Sequence, residues 1–552
     1  MSLVLDMMWS SILLISVCGL VQGQFRDNPL VYTKRGLIRG LGSDQGYSKF
    51  LGVPYAVVDE NNPFGAAVRH PGFDKIFEAY KSTTCPQVEN GTVIGTVDCL
   101  TLDVYVPSIA NSHNRLPVMV WIHGGGYSLY SSSAYGIPNS LVRNDVIVVA
   151  INYRLGIYGF MCLDIPEVPG NQGLKDQVLA LRWINENIEA FGGNAKQITV
   201  FGQSAGGMSI NLHLLSSYES LFQKAIIQSG PALSPWALVE SNITVPLVLA
   251  AALDFDTDDI HEAIDYLASI DPHTLTKLAY DLQITSVDGI RGTTPLLYPC
   301  IEKDIEGVEH FITEDPANLV SNKIRNMPII IGDVDNEMTF LYGDADANFF
   351  SNYNFNLVTL AFDFGDNLED ALSNVRHFYI GDEKASENVK YEITDFASDF
   401  IFNHPTQRMA ESILDTDAKT VYRYVFSYSG NRNYRKLVLN LNSTGAIHED
   451  ELGYLFDSDI FSRDTVTPED QLMVDRITTL WTNFAKYGDP TPGTSELLPV
   501  KWEPITKTSQ PYLSLDSDLT LEARPFQERM TFWDDFYRSH RDQQKRFQGS
   551  NK

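Results

Sequence analysis

Two long apolar runs constrain the fold of this chain more than any other feature. They are LPVMVWIHGGG at residues 116–126 and DVIVVAINYRLG at residues 145–156. A strand without alternating polar residues is typical of the centre of an α/β sheet, where both faces are covered. The sequence therefore predicts an α/β fold with a large, mostly parallel central sheet, flanking helices and helical insertions.

A serine lies where a predicted strand meets a predicted helix. The segment QITVFGQSAGG holds the pattern G-x-S-x-G around Ser204, and helical periodicity follows it in MSINLHLLSS. A strand–turn–helix context is what this pattern needs to indicate a nucleophile, because the tight turn exposes the hydroxyl. The pattern alone is short, and a serine in a glycine-rich turn is the alternative.

A nucleophilic serine needs a base and a carboxylate. Among eleven histidines, His448 stands between a glycine turn and an apolar run. The turn IIIGDVDNEMTF offers Asp333, Asp335 and Glu337, and spacing does not choose among them. Glu337 directly precedes an apolar run, which favours it, and the two aspartates are interpreted as solvated turn residues.

The HGGGY segment after the first apolar run has chemistry of its own. Glycines allow backbone N–H groups to approach a ligand closely because no Cβ intervenes. Gly125 and Gly126, together with the N–H of Ala205, are candidate donors to an oxyanion. A plain glycine turn is the alternative.

These segments together resemble the type-B carboxylesterase (carboxylesterase/cholinesterase) family of the α/β-hydrolase fold. The resemblance covers nearly the whole mature chain and rests on several long matching pieces: FLGVPYA, DCLTLDVYVP, LPVMVWIHGGGY, INYRLGIYGF, PGNQGLKDQVLALRWINENIEAFGGN, ITVFGQSAGG, LFQKAIIQSG, FAKYGDPTP and RMTFWDDFY. It implies Ser204 as nucleophile, Glu337 as acid and His448 as base, with Gly125 and Gly126 in the oxyanion hole.

The chain departs from the family pattern beside the nucleophile. Gln203 stands where glutamate is commoner, which resembles insect juvenile hormone esterases. Tyr127 follows the glycines where phenylalanine is usual, which adds a hydroxyl near the site of the acyl group.

The N-terminus predicts secretion. An apolar run ends at Val21-Gln22-Gly23, so we expect a signal peptide over residues 1–23, cleaved before Gln24, and one catalytic domain over residues 24–552. An uncleaved anchor is the alternative, which the short run disfavours. No later stretch is apolar enough to span a membrane, and the polar C-terminus predicts no anchor there. A net charge of −29 argues against nucleic-acid binding.

Cysteines and sequons fit an extracellular protein. Cys85 and Cys99 lie close together among turn residues, and the resemblance implies a disulfide between them. Cys162 and Cys300 are expected to be buried free thiols. Three N-x-[ST] sequons predict glycosylation, at Asn90, Asn242 and Asn442.

The predicted function is a secreted serine carboxylester hydrolase that acts on a small apolar ester through an acyl-enzyme on Ser204. It requires no metal and no cofactor. The alternatives are a triacylglycerol lipase, or a non-catalytic cholinesterase-like binding or adhesion protein. Odorant acetates, juvenile hormone and dietary or xenobiotic esters all remain candidate substrates, and the oligomeric state is left open.

Overall fold

A computed structural model describes residues 28–285, 297–319, 321–416, 418, 420–461 and 466–545. The expected signal peptide, residues 1–23, lies outside the described residues. Within the described ranges, no helix combines the length and apolarity that crossing a bilayer requires.

An 11-stranded sheet forms the centre of the protein. In chain order its strands are β1 (Leu41–Gly42), β2 (Tyr47–Pro54), β3 (Thr101–Pro107), β4 (Leu116–Ile122), β5 (Ile147–Ile151), β6 (Gly193–Gln203), β7 (Lys224–Gln228), β8 (Pro328–Val334), β9 (Thr420–Phe426), β10 (Pro511–Leu515) and β11 (Leu519–Ala523).

The sheet is mostly parallel, as predicted. Its spatial order is β11-β10-β9-β8-β7-β6-β4-β5-β3-β2-β1. The strands from β10 through β5 in that order pair in parallel, and antiparallel pairs occur only towards the two edges. The carboxyl ends of β6 and β8 therefore lie at the same end of the parallel strands, where the loops that follow them can come together.

Helices cover both faces and form insertions between strands. The α-helices are Asn139–Val142, Gly156–Phe160, Gln172–Asn187, Ala205–Leu215, Thr244–Ala251, Ile260–Ala268, Pro272–Asp281, Thr339–Tyr342, Ala347–Ser351, Leu368–Ile380, Lys390–Ser398, His404–Asp415, Tyr434–Leu439, Pro468–Tyr487 and Gln527–Ser539. The described residues also form three smaller sheets. One has three strands, Leu30–Thr33, Gly36–Arg39 and Phe77–Glu78. The other two have two strands each: Ala56–Val57 pairs with Val68–Arg69, and Gln87–Glu89 pairs with Thr92–Ile94.

The apolar character of β4 follows from its place in the sheet. Val118, Val120 and Ile122 point into one buried cluster, and Met119 and Trp121 point into a second cluster on the other face. Because side chains alternate across a strand, a strand between two cores must be apolar throughout. The structure therefore confirms the prediction, made from the two apolar runs, that both faces of the central sheet are covered.

The structure contradicts the expectation of free thiols at Cys162 and Cys300. Both side chains are buried as expected, but they form a disulfide with an S–S distance of 2.03 Å. The two residues are 138 positions apart, so nothing local in the sequence indicates that they meet. A second disulfide joins Cys85 and Cys99.

Candidate active site

Ser204 occupies a sharp turn between β6, which ends at Gln203, and the helix Ala205–Leu215. Its φ of 57° and ψ of −126° are unusual for a residue with a side chain. The Ser204 N–H donates to the carbonyl oxygen of Gln228 at 2.9 Å. A Cβ added at Gly202 would lie 2.7 Å from the Ile122 carbonyl oxygen, so the turn needs a glycine there. Such strained turns are a feature of nucleophile sites.

Two loops bring Glu337 and His448 together. The loop after β8 carries Glu337, and the loop that follows the helix Tyr434–Leu439 carries His448. The Asn336 N–H donates to the Ala446 carbonyl at 3.0 Å, and the Ala446 N–H donates to Asp335 Oδ1 at 2.6 Å. These bonds fix the two loops to each other immediately beside both side chains.

Glu337 and His448 form a buried pair. His448 Nδ1 lies 2.5 Å from Glu337 Oε2, and neither side chain is more than 3% exposed. The Val334 N–H donates to the other carboxyl oxygen, Oε1, at 3.0 Å. A carboxylate at Nδ1 holds the imidazole in the tautomer that leaves Nε2 free to accept a proton.

Aromatic rings enclose His448. The ring of Phe340 stacks on it with a centroid distance of 4.8 Å, and the ring of Phe402 lies at the same distance with a tilt of 41°. Burial lowers the pKa of His448 to about 4, and it raises the pKa of the Glu337 carboxyl. The imidazole is therefore neutral near pH 7, the state that a general base needs.

Gln203 contacts the second nitrogen of the same imidazole. Its side-chain Nε2 lies 3.2 Å from His448 Nε2, and its Oε1 is buried without a hydrogen-bond partner among the described residues. Within the described chain, no hydrogen bond joins Ser204 Oγ to His448, although both side chains line one cavity. Catalytic hydrogen bonds often form fully only when substrate is bound.

The glycine loop lines that same cavity. Gly125 has a φ of 95° and Gly126 a φ of 56°, in the region that favours glycine, and both lie beside Ser204 and Ala205. The structure therefore places all six predicted site residues in one region. The roles of their N–H groups remain a proposal.

The sequence predicted that both aspartates of the loop after β8 are solvated turn residues, and the structure contradicts this: Asp333 is buried, and the half-buried Asp335 binds backbone. Asp333 is fully buried, accepts a hydrogen bond from the Thr406 hydroxyl at 2.6 Å and lies 3.5 Å from Arg423. Asp335 binds the backbone of the histidine loop, and burial raises its pKa to about 7. Both partners of Asp333 lie far away in sequence, which is why a local pattern could not reveal this burial.

Sequence reasoning missed most of the cavity wall. Besides Phe340 and Phe402 it includes Trp236, Tyr298 and Arg435. Aromatic residues in a helical or loop segment are usually core residues, so composition gave no signal for them.

The predicted glycosylation sites are accessible to different degrees. Asn90 lies exposed in the turn between Gln87–Glu89 and Thr92–Ile94, and Asn442 is also exposed. Asn242 is half-buried, and its Oδ1 accepts hydrogen bonds from the N–H and hydroxyl of Thr244.

Known proteins resemble the chain over most of its length. Residues 27–533 match the model of the Carboxylesterase family. The chain is 33% identical to juvenile hormone esterase of Tribolium castaneum, over 84% of each chain. It is 31% identical to esterase FE4 of Myzus persicae over 90% of this chain and 91% of that protein.

It is likewise 31% identical to human bile salt-activated lipase, over 88% of this chain and 66% of that protein. A crystal structure of juvenile hormone esterase from Manduca sexta with OTFP covalently attached aligns with a TM-score of 0.79 and 25% identity. That alignment covers 93% of this chain and all of the other.

Proposed function

Because the chain belongs to the carboxylesterase family and is a carboxylic ester hydrolase, we propose that it is a secreted serine esterase with Ser204 as its nucleophile. One observation carries this proposal. The buried pair of His448 and Glu337 lies at the wall of the cavity that Ser204 also lines.

The proposed reaction has two halves. His448 Nε2 removes the hydroxyl proton of Ser204 while the serine oxygen attacks the ester carbonyl. The N–H groups of Gly125, Gly126 and Ala205 bind the resulting oxyanion. His448 then gives its proton to the departing alcohol, which leaves an acyl group on Ser204. In the second half His448 Nε2 takes a proton from a water molecule while the water oxygen attacks the acyl carbonyl. His448 then returns this proton to Ser204 Oγ as the bond between Oγ and the acyl group breaks and the acid leaves.

Glu337 supports both halves without gaining the proton. It accepts from His448 Nδ1 and stabilises the imidazolium that forms in each transition state. The Val334 N–H, which donates to Oε1, opposes the effect of burial on the carboxylate. The Phe340 and Phe402 rings keep water from the imidazole and strengthen these electrostatic interactions.

Covalent labelling tests the nucleophile. Diisopropyl fluorophosphate is expected to abolish ester hydrolysis and to leave a phosphoryl adduct on the Ser204 peptide, measured by mass spectrometry. The Ser204→Ala variant is expected to take no adduct. Ser209→Ala is the matched control and should still be labelled. Active protein that loses activity without an adduct on Ser204 would show that another residue is the nucleophile.

A triacylglycerol lipase is the second candidate, and one observation favours it. The exposed side chains of Val438 and Ile460 line the mouth of a larger cavity that adjoins the site. One relative is a bile salt-activated lipase. Rates on emulsified long-chain triacylglycerols and on soluble short-chain esters separate the two candidates. A preference for the emulsion would establish the lipase.

Secretion and glycosylation belong to the same proposal. The predicted signal peptide, two disulfides and three sequons support it. Expression of the full chain in insect cells is expected to yield a protein in the medium that begins at Gln24. Removal of N-linked glycans should increase its mobility on a gel. A protein that stays in the cells and keeps residues 1–23 would contradict the proposal.

A further inference from the structure

Two adjoining cavities of different size lie near Ser204 and share lining residues. The inner cavity, which contains Ser204 and His448, has a volume of about 50 Å³. The outer cavity has a volume of about 580 Å³, the range of sites for drug-sized ligands. Leu129, Tyr130 and Arg435 line both cavities and therefore lie where the two meet. An ester with one small and one large substituent fits this arrangement.

A polar cluster lies where the two cavities meet. Arg435 Nη1 donates to the Tyr130 hydroxyl oxygen at 2.7 Å and lies 3.5 Å from Glu449 Oε2. The hydroxyl groups of Tyr130 and Tyr135 donate to the two oxygens of Glu449, both at 3.3 Å. The cluster holds one positive and one negative side chain.

Arg435 has donor capacity that the described residues do not use. A guanidinium carries five N–H groups, yet its hydrogen bond within the described chain comes from Nη1. Its Nε is buried and has no partner there. The Arg435 side chain is 18% exposed and faces both cavities. A ligand cannot reach the buried Nε, so the N–H groups of the two terminal nitrogens are the candidate donors, and an oxygen that accepts from them would be favoured because hydrogen bonds from a charged donor are strong.

We infer that Arg435 determines specificity by donating a hydrogen bond to an uncharged oxygen of the substrate's large substituent. This inference rests on the proposed function, because the small end of the ester must lie at Ser204. Glu449 excludes an anionic substituent, since a second carboxylate near Arg435 would be repelled by the first. The substrate class is thus a long apolar ester with an uncharged acceptor oxygen remote from the scissile carbonyl.

Matched esters test the inference. One set consists of methyl esters of long acids, and the other of acetates of long alcohols. Each set contains an all-carbon chain and chains in which an ether oxygen replaces one CH2 at successive positions. The wild-type protein is expected to favour the ether ester over the all-carbon ester when the ether oxygen stands at one particular position. This preference is measured as the ratio of the kcat/KM value of the ether ester to that of the all-carbon ester. Arg435→Met should reduce this ratio at least tenfold, chiefly through KM.

The ratio isolates the role of Arg435 in binding. Replacing Arg435 also changes the charge near His448, but that change affects the ether and all-carbon esters alike and cancels. Glu449→Gln keeps Arg435, so it should retain the ether preference and accept an ester with a terminal carboxylate at least tenfold better than the wild type does. This variant tests the inference even where Arg435→Met fails to fold.

Three results would overturn the inference. They are a wild-type protein without any positional ether preference, an equal preference in Arg435→Met, and no gain on the carboxylate ester in Glu449→Gln. A wild-type protein that hydrolyses none of the esters would instead overturn the proposed function, and this inference with it.

Discussion

His448 and Glu337 are 111 positions apart in the chain, yet their Nδ1 and Oε2 atoms lie 2.5 Å apart. The contact depends on two loops that bind each other through Asp335, Asn336 and Ala446. Backbone contacts thus position the pair. The rings of Phe340 and Phe402 then enclose His448, and Glu337 is fully buried. This arrangement leads to the first prediction.

Glu337→Gln is expected to lower turnover by about 10⁴, because the amide no longer stabilises the imidazolium or fixes its tautomer. Asp335→Asn is the matched control in the same loop. Its Oδ1 can still accept from the Ala446 N–H, so its turnover should stay within about tenfold of wild type, a barrier change of about 1.4 kcal/mol. Both are measured with one chromogenic ester. Collapse of Asp335→Asn beside an active Glu337→Gln would reassign the acid.

Gln203→Glu is expected to move the acid limb of the kcat/KM profile to higher pH by about one unit. The base works when neutral, so activity falls as the pH drops through the pKa of His448, which burial lowers to about 4. A carboxylate at the 3.2 Å contact would favour the imidazolium and raise that pKa.

Gln177→Glu is the matched control for this shift. Gln177 contacts His213, a second buried histidine, whose Nε2 lies 2.9 Å from Gln177 Oε1. The acid limb of this variant should coincide with that of the wild type. An unshifted limb in Gln203→Glu would mean that Gln203 does not influence the protonation of the base.

Gly206→Ala is expected to destabilise the protein by about 1–3 kcal/mol. A methyl group in a helix usually stabilises, but here its Cβ would overlap the carbonyl oxygen of Ile122 on the neighbouring strand β4. Gly493→Ala is the control, because no atom lies within 4 Å of its added Cβ. Urea unfolding of both variants measures the difference. Equal stability would contradict the close packing of the nucleophile turn.

The double variant Cys162→Ser/Cys300→Ser is expected to lose more stability than Cys85→Ser/Cys99→Ser. The first disulfide joins residues 138 positions apart and the second joins residues 14 apart. In the chain-entropy account the longer loop contributes about 2 kcal/mol more. Equilibrium unfolding of both variants tests the order. A smaller loss for the longer loop would show that loop entropy does not dominate.

Sequence patterns predicted the parts of the molecule that depend on local order. The doubly covered strands β4 and β5, the Ser204 turn and the glycines of the HGGGY segment all lie in short continuous segments, where periodicity and glycine content report directly on backbone geometry. Spacing does not choose among the three carboxylates of the turn that contains Glu337, and it is the apolar run after Glu337 and the family resemblance that favour this residue.

What the sequence could not predict depends on contacts between distant segments. Asp333 is buried beside Thr406 and Arg423, and both of these residues come much later in the sequence. Arg435 belongs to a short helix, and its hydrogen bond to Tyr130 joins residues that are 305 positions apart. No local pattern encodes such proximity.

The disulfide between Cys162 and Cys300 turns part of the chain into a covalent ring that contains Ser204. The ring also includes the exposed connection before the helix Ile260–Ala268, which is accessible to proteases. A single cut there would release no fragment. The two pieces would separate only after reduction, so an intact band on a non-reducing gel is no proof of an intact polypeptide.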